Sequence, residues 1–411
     1  MIKKTDVGSK LIWWQNAGYI LALIGLFILV HSVRNQLLFP ITEKAYLWNI
    51  NLLAIAGLIC VIVGKAISIN RHNIIFVSCA VALLFLQIKF FVDFKIDLTT
   101  SIVSISCLSI PVFFLFAELN EKNRNKIIKA FLIVLNTIFI ILVVWSFVDT
   151  LSNRLILRWV ARFMTVSPQF EEFAYPTSTE TNRFFSFFGH PLHNAALFNM
   201  IYILNISWNE KGTPIIPSWL CCVLTVCGVV CCGSKTGIVV ALMITVICFL
   251  KNIKILVIMG ITGVITLLTG VASNLITRFT HGPLTTGRAD SLQQFFGTAE
   301  NTLYFFRGHN DDIMNAGLEF VFINTAYCWG ILFSILFIVV IGGYTSYVLL
   351  RHKSIKTWII WGLYYAEMNT FYGLGMSVGD STWMVCFLTM LLINIEICDD
   401  KLIFDEKKAI E

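Results

Sequence analysis

The stretch RFTHGPLTTGRADSLQQFFGTAENTLYFFRGHNDDIMNAGLE, residues 278–319, is the longest polar interval of a very apolar chain. It carries three arginines, two histidines, several acids and several glycines. Apolar runs of about 20 residues flank it, and a helix of that length crosses about 30 Å of hydrocarbon. A second polar interval, residues 149–190, is its only rival. Long apolar runs that alternate with two polar intervals predict an all-α integral membrane protein.

Composition favours the same class. Of the 411 residues, 57% are hydrophobic and 13% are charged, and the mean hydropathy is +0.79. A soluble domain of this size carries about 25% charged residues. The net charge of +6 does not indicate nucleic-acid binding, because most lysines lie in short loops. The twelve cysteines, all but Cys398 within apolar runs, are expected to be packing residues rather than metal ligands or disulfides.

The apolar runs predict about twelve transmembrane helices in a single polytopic domain that covers residues 1–411. The basic N-terminus resembles a signal peptide, but the apolar run after it is too long, so we expect an uncleaved first helix. The expected spans are 12–33, 47–68, 73–92, 98–117, 127–148, 191–208, 216–233, 235–251, 254–273, 321–350, 357–374 and 380–397.

Basic residues set the orientation of these spans. With the N-terminus in the cytoplasm, the cytoplasmic segments hold 18 of the 30 basic residues, and 15 of those 18 are lysines. Both termini are then cytoplasmic, and residues 149–190 and 274–320 become two large external loops. We expect these two loops to form one site at the outer membrane boundary.

Eight of the eleven arginines lie on the external side in this orientation, which suggests a phosphate-bearing ligand. Guanidinium binds phosphate in a bidentate fork, whereas ammonium acts as a point charge. We expect these arginines to have no acidic partners nearby. Contact with lipid headgroups is the alternative. We favour it for Arg154, Arg158 and Arg162, whose spacing predicts one basic face of an amphipathic helix at the interface.

Two candidate segments precede the opening stretch. In RFFSFFGHPLHNAALFNM, Arg183 stands before the N-terminus of a new span, where the helix dipole favours an anion. His190 and His193 in this segment are either acids and bases or simple helix caps. The segment GSKTG is a tight turn that does not match a P-loop, and its Lys235 is either a turn residue or a contact to a diphosphate.

The opening stretch supplies the remaining candidates. Arg288 ends TTGR, and Arg307 and His309 stand in RGHNDD. His309 or Glu319 is the candidate general base that takes a proton from an acceptor hydroxyl. A carboxylate at a membrane boundary, such as Glu319, is costly unless it is paired or functional.

One acid outside the two loops is a candidate as well. Glu367, in YYAEMNTFYGLG, stands in an apolar run, where an ionisable group is costly unless it is paired or functional. It is expected either to pair with an arginine of an external loop or to couple an ion in a transporter.

In this order the segments resemble the bacterial O-antigen polymerase and O-antigen ligase superfamily. RFFSFFGHPLHNAALF is similar to the end of that family's first large external loop, and GSKTG to its Ser-basic-Ser/Thr-small turn. TTGRADSLQQF is similar to the Gly-Arg segment that opens its second large loop, and GHNDD to the end of that loop. The resemblance covers about residues 150–350 and the twelve-span layout.

The resemblance implies an inverting glycosyltransferase that needs no metal or other cofactor. Its donor would be a polyprenyl-diphosphate-linked glycan on the outer face of the bacterial cytoplasmic membrane. By the resemblance, Arg183 and Arg288 would hold the diphosphate and Lys235 would help to neutralise its charge. Arg307 is a further candidate for diphosphate binding, apart from the resemblance. His309 or Glu319 would be the base, and His190, His193 and Glu367 would support the acceptor.

Membrane lipids, a flippase and chain-length regulator proteins are the further partners expected, and nucleic acid is not. We expect a polymerase that builds O-antigen, capsule or exopolysaccharide. A ligase that transfers the glycan to lipid A core is the close alternative. A multi-pass transporter or flippase is the alternative of another class, which the concentration of charge outside the spans disfavours.

Overall fold

The computed structural model describes residues 4–42, 44, 48–67, 69, 71–178, 180–281, 288–298, 301–309, 319–371, 373–375 and 378–397. Helix makes up 73% of the structure, and the described residues contain no strand, only isolated β-bridges. The predicted all-α class is therefore confirmed.

In the described part of the chain, ten α-helices run from Lys4 to Cys231, and nine more come after them. The first ten are α1 (Lys4–Phe27), α2 (His31–Leu38), α3 (Leu52–Val63), α4 (Ile74–Asp93), α5 (Leu98–Leu108), α6 (Arg124–Leu151), α7 (Leu155–Ala161), α8 (Gln169–Ala174), α9 (Pro191–Lys211) and α10 (Ser218–Cys231). A 3₁₀-helix, Ile110–Phe116, continues α5, and its proline stands in the first turn.

Nine more α-helices follow. They are α11 (Lys235–Phe249), α12 (Ile253–Leu268), α13 (Ser273–His281), α14 (Arg288–Gly297), α15 (Val321–Trp329), α16 (Ile331–Ile338), α17 (Tyr344–Arg351), α18 (Ile355–Met368) and α19 (Ser381–Glu396). A π-helical turn, Val339–Gly343, joins α16 to α17.

Only some of these helices can cross a membrane by length and composition. Among the described residues there are four such helices, Ile74–Asp93, Leu98–Phe116, Arg124–Leu151 and Ile331–Arg351. The bent pairs α1–α2 (82°) and α12–α13 (88°) raise the number to six if each pair is one span. This agrees with a membrane protein. Although a helix lies in every predicted interval, the count of twelve spans and the external position of the two loops remain predictions.

The interval 321–350, predicted as one span, is broken near its start. Gly330 has φ +100°, a conformation that glycine adopts readily, and it separates α15 from α16. A Cβ atom at this position would lie 3.1 Å from the backbone of Arg307. The break therefore lets the segment Tyr304–His309 pack against the backbone at Gly330. There the Ile331 N–H donates to the Tyr304 carbonyl at 2.9 Å.

The chain divides into two compact units. The first comprises residues 1–127, 287–351 and 368–394, and the second comprises residues 128–286, 352–367 and 395–411. In the first unit, α1 and α3 pack closely at Gly18 and Gly57, where a Cβ on either glycine would lie 2.6 Å from the other's carbonyl oxygen. Small residues allow this approach, as is common between membrane helices.

The second unit is built around α9. This helix is buried on almost every side from Asn194 to Trp208, so it is the core helix of the unit rather than a surface helix. The packing of α10 and α11 against it holds the turn between those two helices in place.

Candidate functional site

The turn between α10 and α11, from Cys232 to Lys235, is the centre of a cationic site in the second unit. Gly233 has φ +59°, which a residue with a Cβ adopts only at a cost. Ser234 caps α11, because its Oγ accepts from the Gly237 N–H at 3.0 Å. The GSKTG motif is therefore a left-handed residue followed by a helix cap, and it leaves the Gly233 carbonyl available to a side chain.

Arg183 is buried beside this turn, with only 2% of its surface exposed. Its Nε donates to the Cys232 carbonyl at 2.9 Å, and its Nη1 donates to Glu180 Oε2 at 3.2 Å. Its Nη2 is buried and has no hydrogen-bond partner among the described residues. Burial and then the neighbouring Arg278 lower the pKa of Arg183 to about 10, while Glu180 opposes the shift. The buried charge is thus only partly compensated.

Arg278 is the second cation of the site, and it was not among the candidates selected from the sequence. It lies on α13, and the axis of α13 is bent by 88° from the axis of α12. Its Nη1 donates to the Gly233 carbonyl, and its Nη2 lies 3.0 Å from Glu180 Oε1. Lys235 completes the cations, with its Nζ 5.5 Å from the ring centroid of Phe279 on α13. We call Arg183, Arg278 and Lys235 the arginine cluster.

Glu180 connects the two guanidinium groups of the cluster. One oxygen of its carboxylate contacts Arg183 and the other contacts Arg278, while 62% of the side chain is exposed. The expectation that the loop arginines lack acidic partners is therefore wrong at both positions. Each guanidinium contacts only one oxygen of this carboxylate, and an anion with more oxygen atoms, such as a phosphate, offers further acceptors to the same two arginines.

The other candidates of this unit have mainly structural contacts. His190 caps α9, because its Nδ1 accepts from the Leu192 N–H at 3.3 Å. His193 lies in the first turn of α9 and is half-buried. Glu367 on α18 is 1% exposed and accepts from Asn199 Nδ2 at 2.7 Å. This carboxylate lies close to the start of α11, since a Cβ on Gly237 would be 3.0 Å from Glu367 Oε1.

In the first unit, Arg288 and Glu319 form an ion pair. Arg288 begins α14, and its Nε donates to the Glu319 carboxylate. The guanidinium is mostly buried and the carboxylate is partly exposed. The predicted clamp and one of the two predicted bases are therefore partners of each other.

His309, the other candidate base, is held by an aromatic stack in the first unit. Its ring lies over Tyr327 with centroids 4.2 Å apart, and Tyr304 lies 5.2 Å away. The Arg307 guanidinium covers the Tyr304 ring at 4.3 Å. His309 Nε2 is 2.6 Å from the Thr302 carbonyl, which can only accept, so this nitrogen carries the proton. The basic lone pair of the neutral ring is then on Nδ1.

The structure thus brings the sequence candidates together in three groups. Arg183 and Lys235 share one site in the second unit, Arg288 pairs with Glu319, and Arg307 stands with His309. Glu180 and Arg278 were not among the residues selected from the sequence. The only signal for Glu180 was its position three residues before Arg183. Arg278 reaches the turn through the bend at Gly270 (φ +75°), which the sequence does not connect with the turn.

Comparison with protein-family models, with curated proteins and with solved structures finds no match for this chain.

Proposed function

We propose that the chain is a membrane-embedded glycosyltransferase that polymerises polyprenyl-diphosphate-linked oligosaccharide units. The observation that carries the proposal is the arginine cluster, in which one carboxylate spans two guanidinium groups and a third buried donor, Arg183 Nη2, has no described partner. A diphosphate offers more oxygen atoms and more charge than the carboxylate does. It would satisfy both arginines and compensate the buried charge of Arg183.

The chemistry of such a transfer needs few groups. The acceptor hydroxyl oxygen attacks the anomeric carbon of the donor, and the bond from that carbon to the diphosphate oxygen breaks. The electron pair leaves with the diphosphate, and the hydroxyl proton passes to a base. Cations on the leaving group lower the barrier most, since negative charge grows there as the bond breaks.

Of the two candidate bases in the first unit, His309 has the geometry better suited to accepting a proton. Its Nδ1 carries the lone pair, and the stack with Tyr327 fixes the ring plane. Glu319 is less suited, because its carboxylate already accepts from the Arg288 guanidinium. The role that remains for Arg288 is to position Glu319 and the start of α14.

The proposed location follows from the distribution of basic residues. Lysines dominate the segments assigned to the cytoplasm, and both termini belong to that side. The arginine cluster would then face the outer side of a bacterial cytoplasmic membrane, where a lipid-linked glycan is available after translocation.

The test is the glycan profile of cells that carry Arg183→Ala or Arg278→Ala. Each loss should cost on the order of 3 kcal/mol in the transition state, by analogy with an oxyanion-hole donor, and long chains should disappear. Arg351→Gln is the control, since Arg351 is an exposed arginine at the end of α17. A polymerase variant still leaves single repeat units attached to the final acceptor, whereas a ligase variant leaves none. Long chains in both variants at normal protein levels would refute the proposal.

A further inference from the structure

A short helix is fixed to the end of a candidate membrane span in the second unit. The span α6 ends at Leu151, and the chain turns through Asn153 (φ +53°) and Arg154 (φ +67°) into α7. The carboxylate of Asp149 accepts from the N–H of Ile156 at 2.7 Å, which fastens the start of α7 to the end of α6. Four peptide steps reach at most about 14 Å. If α6 crosses the membrane, α7 lies at its boundary.

An apolar stripe lies on the exposed side of this helix and of the turn that follows it. Leu155, Trp159 and Phe163 follow each other at four-residue intervals and are 63%, 59% and 59% exposed. The rings of Trp159 and Phe163 are 4.9 Å apart. The opposite side is buried through Leu157 and Val160. Large apolar and aromatic side chains in this position are typical of an element that inserts into the interfacial region of a bilayer.

Beside this stripe, a cleft of about 260 Å³ opens between α7 and α8. Arg158 and Arg162 line it together with the polar side chains of Thr165 and Ser167, and Glu171 is the one acid among its lining residues. The Arg158 guanidinium is 5.2 Å from the ring centroid of Tyr175, which also lines the cleft.

The cleft offers a net positive charge. Among the described residues, neither Arg158 nor Arg162 takes part in an ion pair. Arg154 does not belong to this face as its spacing predicted, because it is buried and its Nη2 donates to Asn182 Oδ1 at 3.0 Å. Arg158 Nε donates to the Ala174 carbonyl at 3.3 Å, which is an uncharged acceptor, so the positive charges of both cleft arginines have no acidic partner among the described residues.

We propose that this cleft binds the phosphate of an anionic phospholipid headgroup while the stripe inserts among the acyl chains. The two arginines of the cleft complement the negative charge of the phosphate. The stripe beside the cleft offers an apolar surface to the acyl chains of the same lipid. The site shares no residue with the arginine cluster, so this inference does not rest on the proposed glycosyltransferase activity.

The experiment uses the full chain in nanodiscs that contain a photoactivatable phosphatidylglycerol in phosphatidylcholine. Labelled peptides are quantified by mass spectrometry for the wild type, for Arg158→Gln/Arg162→Gln and for the control Arg351→Gln. The double variant should lose labelling of residues 155–175 on the order of ten-fold, from the attraction of two basic side chains to an anionic surface. Arg351→Gln should leave that labelling unchanged. Glu171→Gln should increase it, because the acid that lines the cleft is neutralised.

Competition distinguishes the sources of the phosphate. Unlabelled phosphatidylglycerol should compete, and inorganic phosphate should not. The inference is overturned by unchanged labelling in the double variant, by an equal loss in Arg351→Gln, or by competition from inorganic phosphate at the same concentration as the lipid. Because Glu171→Gln is expected to gain labelling, a loss caused only by poor folding cannot imitate the full pattern.

Discussion

Replacing Glu180 with glutamine should strengthen diphosphate binding rather than weaken it. Its carboxylate contacts Arg183 at 3.2 Å and Arg278 at 3.0 Å, which is where a phosphate oxygen would bind. A ligand must displace this carboxylate first. Glu180→Gln keeps the size of the side chain but removes the charge that competes with the ligand.

The expected gain follows from the exposure of the pair. The Glu180 side chain is 62% exposed, so its contacts belong with exposed ion pairs, each worth about 0.2–1 kcal/mol. Two such contacts give about 1 kcal/mol in total, which corresponds to roughly five-fold tighter binding. A buried pair would give a larger effect, but solvent screens this one.

The assay is the dissociation constant of inorganic pyrophosphate with the purified chain in nanodiscs at fixed ionic strength. Glu172→Gln is the matched control, because Glu172 is an exposed acid of the same polar interval on α8. Removing any negative charge strengthens anion binding a little through the general field, and the control measures that part. If Glu180→Gln binds pyrophosphate no tighter than Glu172→Gln does, Glu180 does not occupy the anion position.

Two further predictions concern stability, measured as thermal unfolding of the full chain in detergent. Gly233→Ala should destabilise the fold by about 1–2 kcal/mol, since φ is +59° and the new Cβ would lie 3.3 Å from the Arg183 Cγ. The control Gly263→Ala should leave the stability unchanged, because no atom lies within 4 Å of the Cβ that it adds on α12. Arg34→Ala should lower the free energy of unfolding by about 3–5 kcal/mol. It removes the guanidinium that donates to the buried carboxylate of Asp380 at 2.6 and 3.0 Å. An Arg34→Met/Asp380→Leu variant that is no more stable than Arg34→Ala would argue against this explanation.

The positions of the helices were predictable, but their bends were not. Apolar periodicity and length decide where a helix forms, and each predicted interval contains one. The 82° bend after Phe27 and the 88° bend between α12 and α13 depend on tertiary packing. Gly330 illustrates the difficulty, because the apolar run continues through it while its backbone turns to φ +100°. Some apolar runs that were predicted as whole spans therefore contain helices that are too short, or too strongly bent, to cross a membrane as single helices.

The candidate site was predictable only in part. Arg183 and Lys235 were found because polar residues beside a turn and a helix start are visible locally in the sequence. Arg278 was not found, since it reaches the Gly233 carbonyl from 45 residues away, past a bend whose local signal is the single glycine Gly270 (φ +75°). Its neighbours in the chain resemble an interfacial helix, and only the fold distinguishes the two roles.

The arginine cluster is proposed to bind a lipid-borne diphosphate. The most direct test compares the affinity of the chain in nanodiscs for farnesyl diphosphate and for farnesyl monophosphate, in the wild type and in Arg183→Ala. The wild type should prefer the diphosphate on the order of ten-fold, since the second phosphate adds charge-assisted hydrogen bonds, and Arg183→Ala should lose most of that preference. Equal affinities for the two ligands in the wild type, or an unchanged preference in Arg183→Ala, would contradict the claim.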